Sequence, residues 1–219
     1  GASGKTAADV SKVFTALGSD ANRKRICVTA GDGITPCYVE IKEWSTATQT
    51  AYLWVRVPRI DPGLDTHLYL YYDPLHAEMT EYVGDTAEPA AQAVWSNGYA
   101  GVWLMKPNGG QVLDSTANGN HGTIYGATEV DGPLGRCLSF DGADDRVIVP
   151  NHTALNPSTG NYTFGLVCKI RAGATASDHQ YWMCPIEKRS VGPGGYYVGF
   201  RTQTTGWRFM LNSPPRMDT

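Results

Sequence analysis

Short apolar runs separated by glycine-bearing turns dominate the second half of this chain, and they constrain it to fold as β-strands. From Trp95 onward the runs are Gly101 to Met105, Leu138 to Phe140, Val147 to Val149, Tyr162 to Ile170, Tyr181 to Ile186, Tyr196 to Phe200 and Trp207 to Leu211. Runs bounded in this way by turn residues predict strands, and their succession predicts a β-sandwich. Before Trp95 the signal is alternation. Leu53, Val55 and Val57 share one face while Trp54 and Arg56 take the other, as in a strand with one buried side. Strands are expected over Arg25 to Thr29, Cys37 to Trp44, Ala51 to Val57 and His67 to Tyr72.

One helix is expected, near residues 6–17. Thr6 can cap it with Asp9 three residues on, Val10, Val13, Phe14 and Leu17 follow at helical spacing, and Gly18 ends it. Residues 76–94 lose the alternation and gain Glu, Ala, Thr and Pro, which reads as a linker or crossing segment. The fold class is therefore mainly β: a small β-sandwich-like domain with one N-terminal helix over residues 1–75, then an antiparallel jelly-roll sandwich from 95 to 219. That second domain reads as C-terminally truncated, because the chain stops before a second sheet could be completed.

Bulk properties exclude some partners. A net charge of -3 supplies no positive field for a phosphate backbone, so nucleic acid is not an expected partner. No apolar run approaches the ~20 residues of a membrane-spanning helix, so membrane insertion is not expected either.

Two cysteine pairs sit symmetrically about candidate turns. Cys27 and Cys37 flank Asp32, and Cys168 and Cys184 flank Ala176, so each pair could form a cross-strand disulfide if the register holds. Cys137 is left over, and free thiols acting as small apolar residues remain an equal alternative.

The stretches "DSTANGNHGT" from Asp114, "GPLGRCLSFDG" from Gly132 and "DDRVIVP" from Asp144 resemble the opening of the concanavalin A-like, laminin-G-like jelly-roll superfamily. Tyr162 to Val167 looks like that family's early sheet strand, with Val167 or Cys168 near where a Trp is usual. The segment 6–95 is similar to a small uncharacterised β-rich domain that precedes such jelly-rolls in bacterial and archaeal surface proteins and in phage proteins. The carrying elements are Tyr38 to Trp44, Leu53 to Pro58 and Leu68 to Asp73. In that family a further strand normally precedes the helix. These resemblances imply an extracellular, cell-surface or virion location.

A jelly-roll glucanase needs two carboxylates close together, which its relatives supply on a Glu-x-Asp-x-x-Glu strand that this sequence lacks, so no enzyme activity is expected. Asp114, Asn118, Asp141, Asp144 and Asp145, with Asn120, are hard oxygen donors in glycine-rich turns, the chemistry calcium prefers. The alternative is that they brace those turns through Asx hydrogen bonds, and His121 reads as a turn brace too. For stacking on sugar rings the candidates are Tyr181, Trp182, Tyr197 and Trp207, with Tyr196 unable to share a face with its neighbour. The expected function is a non-catalytic binding or adhesion module. Its partner would be a glycan or cell-surface polymer, or the neighbouring subunits of an assembly such as a phage particle, capsid or surface layer. A glycoside hydrolase with its carboxylates farther along the parent chain is the remaining alternative.

Overall fold

The computed structural model describes residues 10–60, 62–156, 163–169, 182–188, 196–201 and 206–211, with backbone alone for 182–185, 196–201 and 206–211. The protein is mainly β, with several antiparallel sheets and few helices. It divides into two compact units, the first comprising Gly1–Ser139 with Arg146–Pro150, the second Phe140–Asp145 with Asn151–Thr219.

In the first unit, helix α1 (Ser11–Leu17) buries Val13, Phe14 and Leu17 and stops at Gly18, whose φ of 69° lets its N–H reach Phe14 O at 2.8 Å. It begins later than expected, after Val10, with no side-chain cap. Thr6 and Asp9 lie outside the described residues. Strand β1 (Ile26–Thr29) pairs antiparallel with β4 (Tyr69–Tyr72). Strand β2 (Val39–Ser45) lies between β3 (Thr50–Val55), antiparallel, and β5 (Val83–Asp85), parallel. The inward residues of α1, β1, β2 and β5, together with Cys37 just before β2, form one core of Val13, Leu17, Ile26, Val28, Cys37, Val39, Ile41 and Val83, with Leu53 and Val55 packed against it.

The segment 76–94, expected as a linker or crossing segment, is structured. It carries β5 and helix α2 (Pro89–Val94), which lies on β2 and β5 with Ala90, Ala91 and Val94 buried. Small side chains allow this approach: a Cβ on Gly84 would stand 3.1 Å from Ala91 N. The end of α2 also covers the face of β3 expected to meet solvent. Trp54 packs against Trp95 with ring centroids 5.4 Å apart, and Arg56 donates to Ser96 Oγ and Ala93 O.

The chain then forms β6 (Trp103–Asn108), β7 (Gln111–Asp114) and β8 (Gly122–Tyr125), joined by β11 (Arg146–Ile148) in a sheet of order β11-β8-β7-β6. Strands β9 (Thr128–Gly132) and β10 (Gly135–Ser139) make a hairpin of their own. Strands β7 to β9 lie where the apolar pattern predicts none. Residues 163–169, expected as a strand, carry no regular structure. In the second unit β12 (Trp182–Lys188), β13 (Tyr196–Arg201) and β14 (Gly206–Leu211) form an antiparallel sheet in sequence order.

The turn of the β9–β10 hairpin explains one of the sequence motifs. Gly135 adopts φ 84°, and a Cβ there would stand 2.7 Å from Glu43 Oε1 and 2.9 Å from Tyr52 Cδ2. Positive φ and a crowded site act together, so Gly135→Ala should lower stability by about 2–3 kcal/mol, measured by urea unfolding. A change under about 0.5 kcal/mol would mean that the hairpin does not seat on β2 and β3 this way.

Candidate functional site

Strand β2 is buried on both faces, and the second face is polar. Glu40 has no exposed surface. Its Oε1 accepts from Thr86 Oγ1 and Ser115 Oγ, each at 2.7 Å, and its Oε2 accepts from the indole Nε1 of Trp95. Burial pushes this carboxyl up, against the pull of those three hydrogen bonds and of Lys42. The β2–β3 register then shifts between Ile41 and Glu43, so a bulge at Lys42 breaks the alternation. Lys42 and Glu43 thereby both reach the β9–β10 hairpin, Lys42 Nζ donating to Leu134 O at 2.7 Å and Glu43 Oε1 accepting from Arg136 N. Lys106 Nζ donates to Lys42 O at 2.8 Å. Burial holds the Lys42 ammonium below the usual lysine range. After the bulge Trp44 packs on Phe14 of α1, with centroids 4.8 Å apart.

Beside this polar face an open groove of about 510 Å³ is lined by Asp20, Arg23, Lys42, Trp44, Asp85 and Lys106. Its cations hold acceptors of the chain itself. Arg23 binds Asp85 through both Nε and Nη2, at 2.8 and 2.5 Å, and Lys24 Nζ lies 3.0 Å from the same carboxylate. Burial raises the Asp85 pKa, but these hydrogen bonds outweigh it and hold the carboxyl below its ordinary value.

The loop from Asp114 to His121 is organised around a second buried carboxylate. Asp114 Oδ1 accepts from Val102 N and Thr116 N, and Oδ2 accepts from Thr116 Oγ1 and Asn120 N, all between 2.9 and 3.0 Å. Both oxygens are thus engaged by the chain, the arrangement of a turn-bracing aspartate. Asn118 and Asn120 direct their amide nitrogens to Ala100 O, and His121 Nδ1 accepts from Asp114 N.

The other acidic candidates behave differently. In the second unit Asp141, Asp144 and Asp145 bring one carboxylate oxygen each within 4.8 Å of one another. Asp145 Oδ2 accepts from Asp141 N, and Asp141 Oδ1 from Ala143 N, which holds the turn. These three residues have the donor chemistry for a hard cation.

Among the aromatic candidates, Tyr181 lies outside the described residues. Trp182 pairs with Arg201, Tyr197 with Met210 and Trp207 with Phe200, while their side chains lie outside what is described. Cys27, Cys37, Cys137 and Cys168 are free thiols, and the Cys184 side chain lies outside the described residues. The expected Cys27–Cys37 pairing misses by one residue. The bridge between Thr29 and Pro36 and the bond from Cys37 N to Val28 O set Cys37 against Val28 in the core. Asp32 accounts for the offset. Its carboxylate accepts from Thr35 Oγ1, Ile34 N and Thr35 N, which extends the turn and lowers its pKa to about 2.

Sequence reasoning missed Glu40 and Lys42, because alternation reads them as a solvent face. Their signal lies only in what the later segments supply: Trp95, Ser115 and the Gly-Pro-Leu-Gly turn.

The architecture is that of a mainly β protein whose first unit is joined through a buried polar seam. Residues 22–88 match the model of a family described as a domain of unknown function (DUF2341). The match spans β1 to β5 and stops before α2, so it includes Glu40 and Thr86 but not Trp95 or Ser115. No curated protein and no solved structure matches the chain. Among the described residues no helix is long and apolar enough to cross a membrane.

Proposed function

We propose that the chain is a non-catalytic binding or adhesion module of an extracellular or virion-surface protein, with carbohydrate as its ligand class and a concanavalin A-like jelly-roll as the ligand-bearing part. The observation that carries this reading is the turn of the second unit in which Asp141, Asp144 and Asp145 converge, next to Phe140, a ring that is 46% exposed. A hard cation held by three carboxylates can bind vicinal sugar hydroxyls, and an exposed ring can stack on the apolar face of a pyranose. The two fully buried carboxylates of the first unit, Glu40 and Asp114, support it from the other side. Each is braced at both oxygens by donors of the chain, as struts of a scaffold are.

A glycan array read with calcium and with chelator tests the proposal. Selective saccharide binding that chelation abolishes is expected. The triple change of Asp141, Asp144 and Asp145 to Asn should weaken binding at least about tenfold while leaving the thermal transition in place. Absence of any saccharide binding, or release of cleaved sugar, would overturn it.

A second reading, a building block of a phage particle, capsid or surface layer, is favoured by one observation. Strand β4 presents Tyr69, Leu70, Tyr71 and Tyr72 to solvent.

A further inference from the structure

Strand β4 is an edge. Among the described residues its hydrogen-bonded strand partner is β1 alone. The five residues Leu68 to Tyr72 are each between 38% and 49% exposed, on both faces of the strand. Natural edges are guarded by charge, proline or a bulge, yet Thr66 to Tyr72 contains no charged residue and no proline. Ladder geometry shows which main-chain groups point outward. Asp73 N donates to Arg25 O, continuing the register in which Cys27 meets Tyr71 and Thr29 meets Tyr69. Hydrogen-bonded pairs alternate in an antiparallel ladder, so Tyr69 and Tyr71 turn their main-chain groups to β1, while Leu70 and Tyr72 turn theirs outward.

We propose that this edge pairs antiparallel with the same edge of a second copy of the chain, about a two-fold axis through Leu70. In this register Leu70 faces Leu70 of the second copy, Tyr69 faces Tyr71, and Leu68 faces Tyr72. The outward main-chain groups of each copy meet, and the uncharged run meets itself without repulsion, as a self-complementary isologous contact requires. The exposed parts of these five side chains, counted on both copies, amount to on the order of 1,000 Å², the lower end of specific interfaces. Strand pairing covers only part of that surface, so a weak dimer, dissociating at roughly micromolar concentrations or above, is expected. This contact is independent of the saccharide reading.

Sedimentation velocity of the 23.7 kDa chain across a concentration series is the test. The wild type is expected to shift from monomer towards twice that mass as concentration rises through the micromolar range. Leu70→Lys and Leu70→Glu place like charges opposite each other across the axis, so each alone should stay monomeric with an unchanged circular dichroism spectrum. Mixed together they should form a heterodimer, which shows that each variant remains folded and that position 70 meets itself. A wild type that remains monomeric up to about 1 mM, a dimer that both charged variants retain, or charged variants that fail to combine would overturn the proposal.

Discussion

Replacing Glu40 with alanine is expected to destabilise the first unit by about 2–4 kcal/mol, while Glu40→Gln should change stability by less than about 1 kcal/mol. The contrast follows from the partners. Alanine leaves the Trp95 indole N–H and the Thr86 and Ser115 hydroxyls without their shared acceptor. In glutamine the amide oxygen can keep the indole, and the amide nitrogen can donate to two hydroxyls that rotate to accept. The two proteins should also diverge with pH. Burial raises the folded carboxyl above its ordinary value of 4.5, so the native state keeps its proton at a pH where the unfolded chain has lost it. Below 4.5 both states are protonated and the site costs nothing in pH-dependent terms. As pH rises from there towards the folded pKa, wild-type stability falls, and above that pKa the loss is complete. Glu40→Gln lacks this slope, so urea unfolding at pH 4 and pH 8 should show the glutamine variant gaining relative to wild type at the higher pH. A constant difference would mean that Glu40 is not the buried acid described.

Asp114 should respond in the opposite way to the isosteric change. Asp114→Ala is expected to cost about 3–5 kcal/mol, and Asp114→Asn about 2–4 kcal/mol. Each oxygen of Asp114 accepts from at least one main-chain N–H, Val102 and Thr116 at Oδ1 and Asn120 at Oδ2. A main-chain donor cannot reverse as a hydroxyl can, so either orientation of the amide sets an NH₂ group against an N–H. Thermal melts check this, with Asp114→Asn expected to fall roughly 5–15 °C below wild type. An asparagine variant as stable as wild type would mean that the four bonds do not converge on this side chain. Both results concern folding, and neither depends on calcium.

Local physics made much of the first unit legible. Helix α1 ends where Gly18 predicts, and β1 to β4 lie within two residues of the runs that predict them, because each carries enough alternating or helical spacing to be seen by itself. Strand β5 and helix α2 are too short for a period to show. Val83–Asp85 has three residues, and the alanine-rich Pro89–Val94 derives its place from contact with β2 rather than from its own amphipathic stripe. The bulge at Lys42 is equally silent in sequence, yet it decides that two consecutive charged residues share a target. The site was legible in residue type but not in role. Asp114 reads in sequence as either a turn brace or a cation ligand, because the two kinds of aspartate have the same neighbours. Only the partners of its oxygens separate them.

The seam at Glu40 makes the β1–β5 segment and the β6–β10 segment one cooperative body. Amide hydrogen exchange measures this directly, at Val39 and Ile41 on one side and at Val112, Ser115 and Ile124 on the other. In the wild type both groups should exchange slowly and at similar opening free energies, and Glu40→Ala should lower the protection of both together. If Glu40→Ala loosens β2 while Val112, Ser115 and Ile124 keep their wild-type protection, the two segments fold independently and the seam does not couple them.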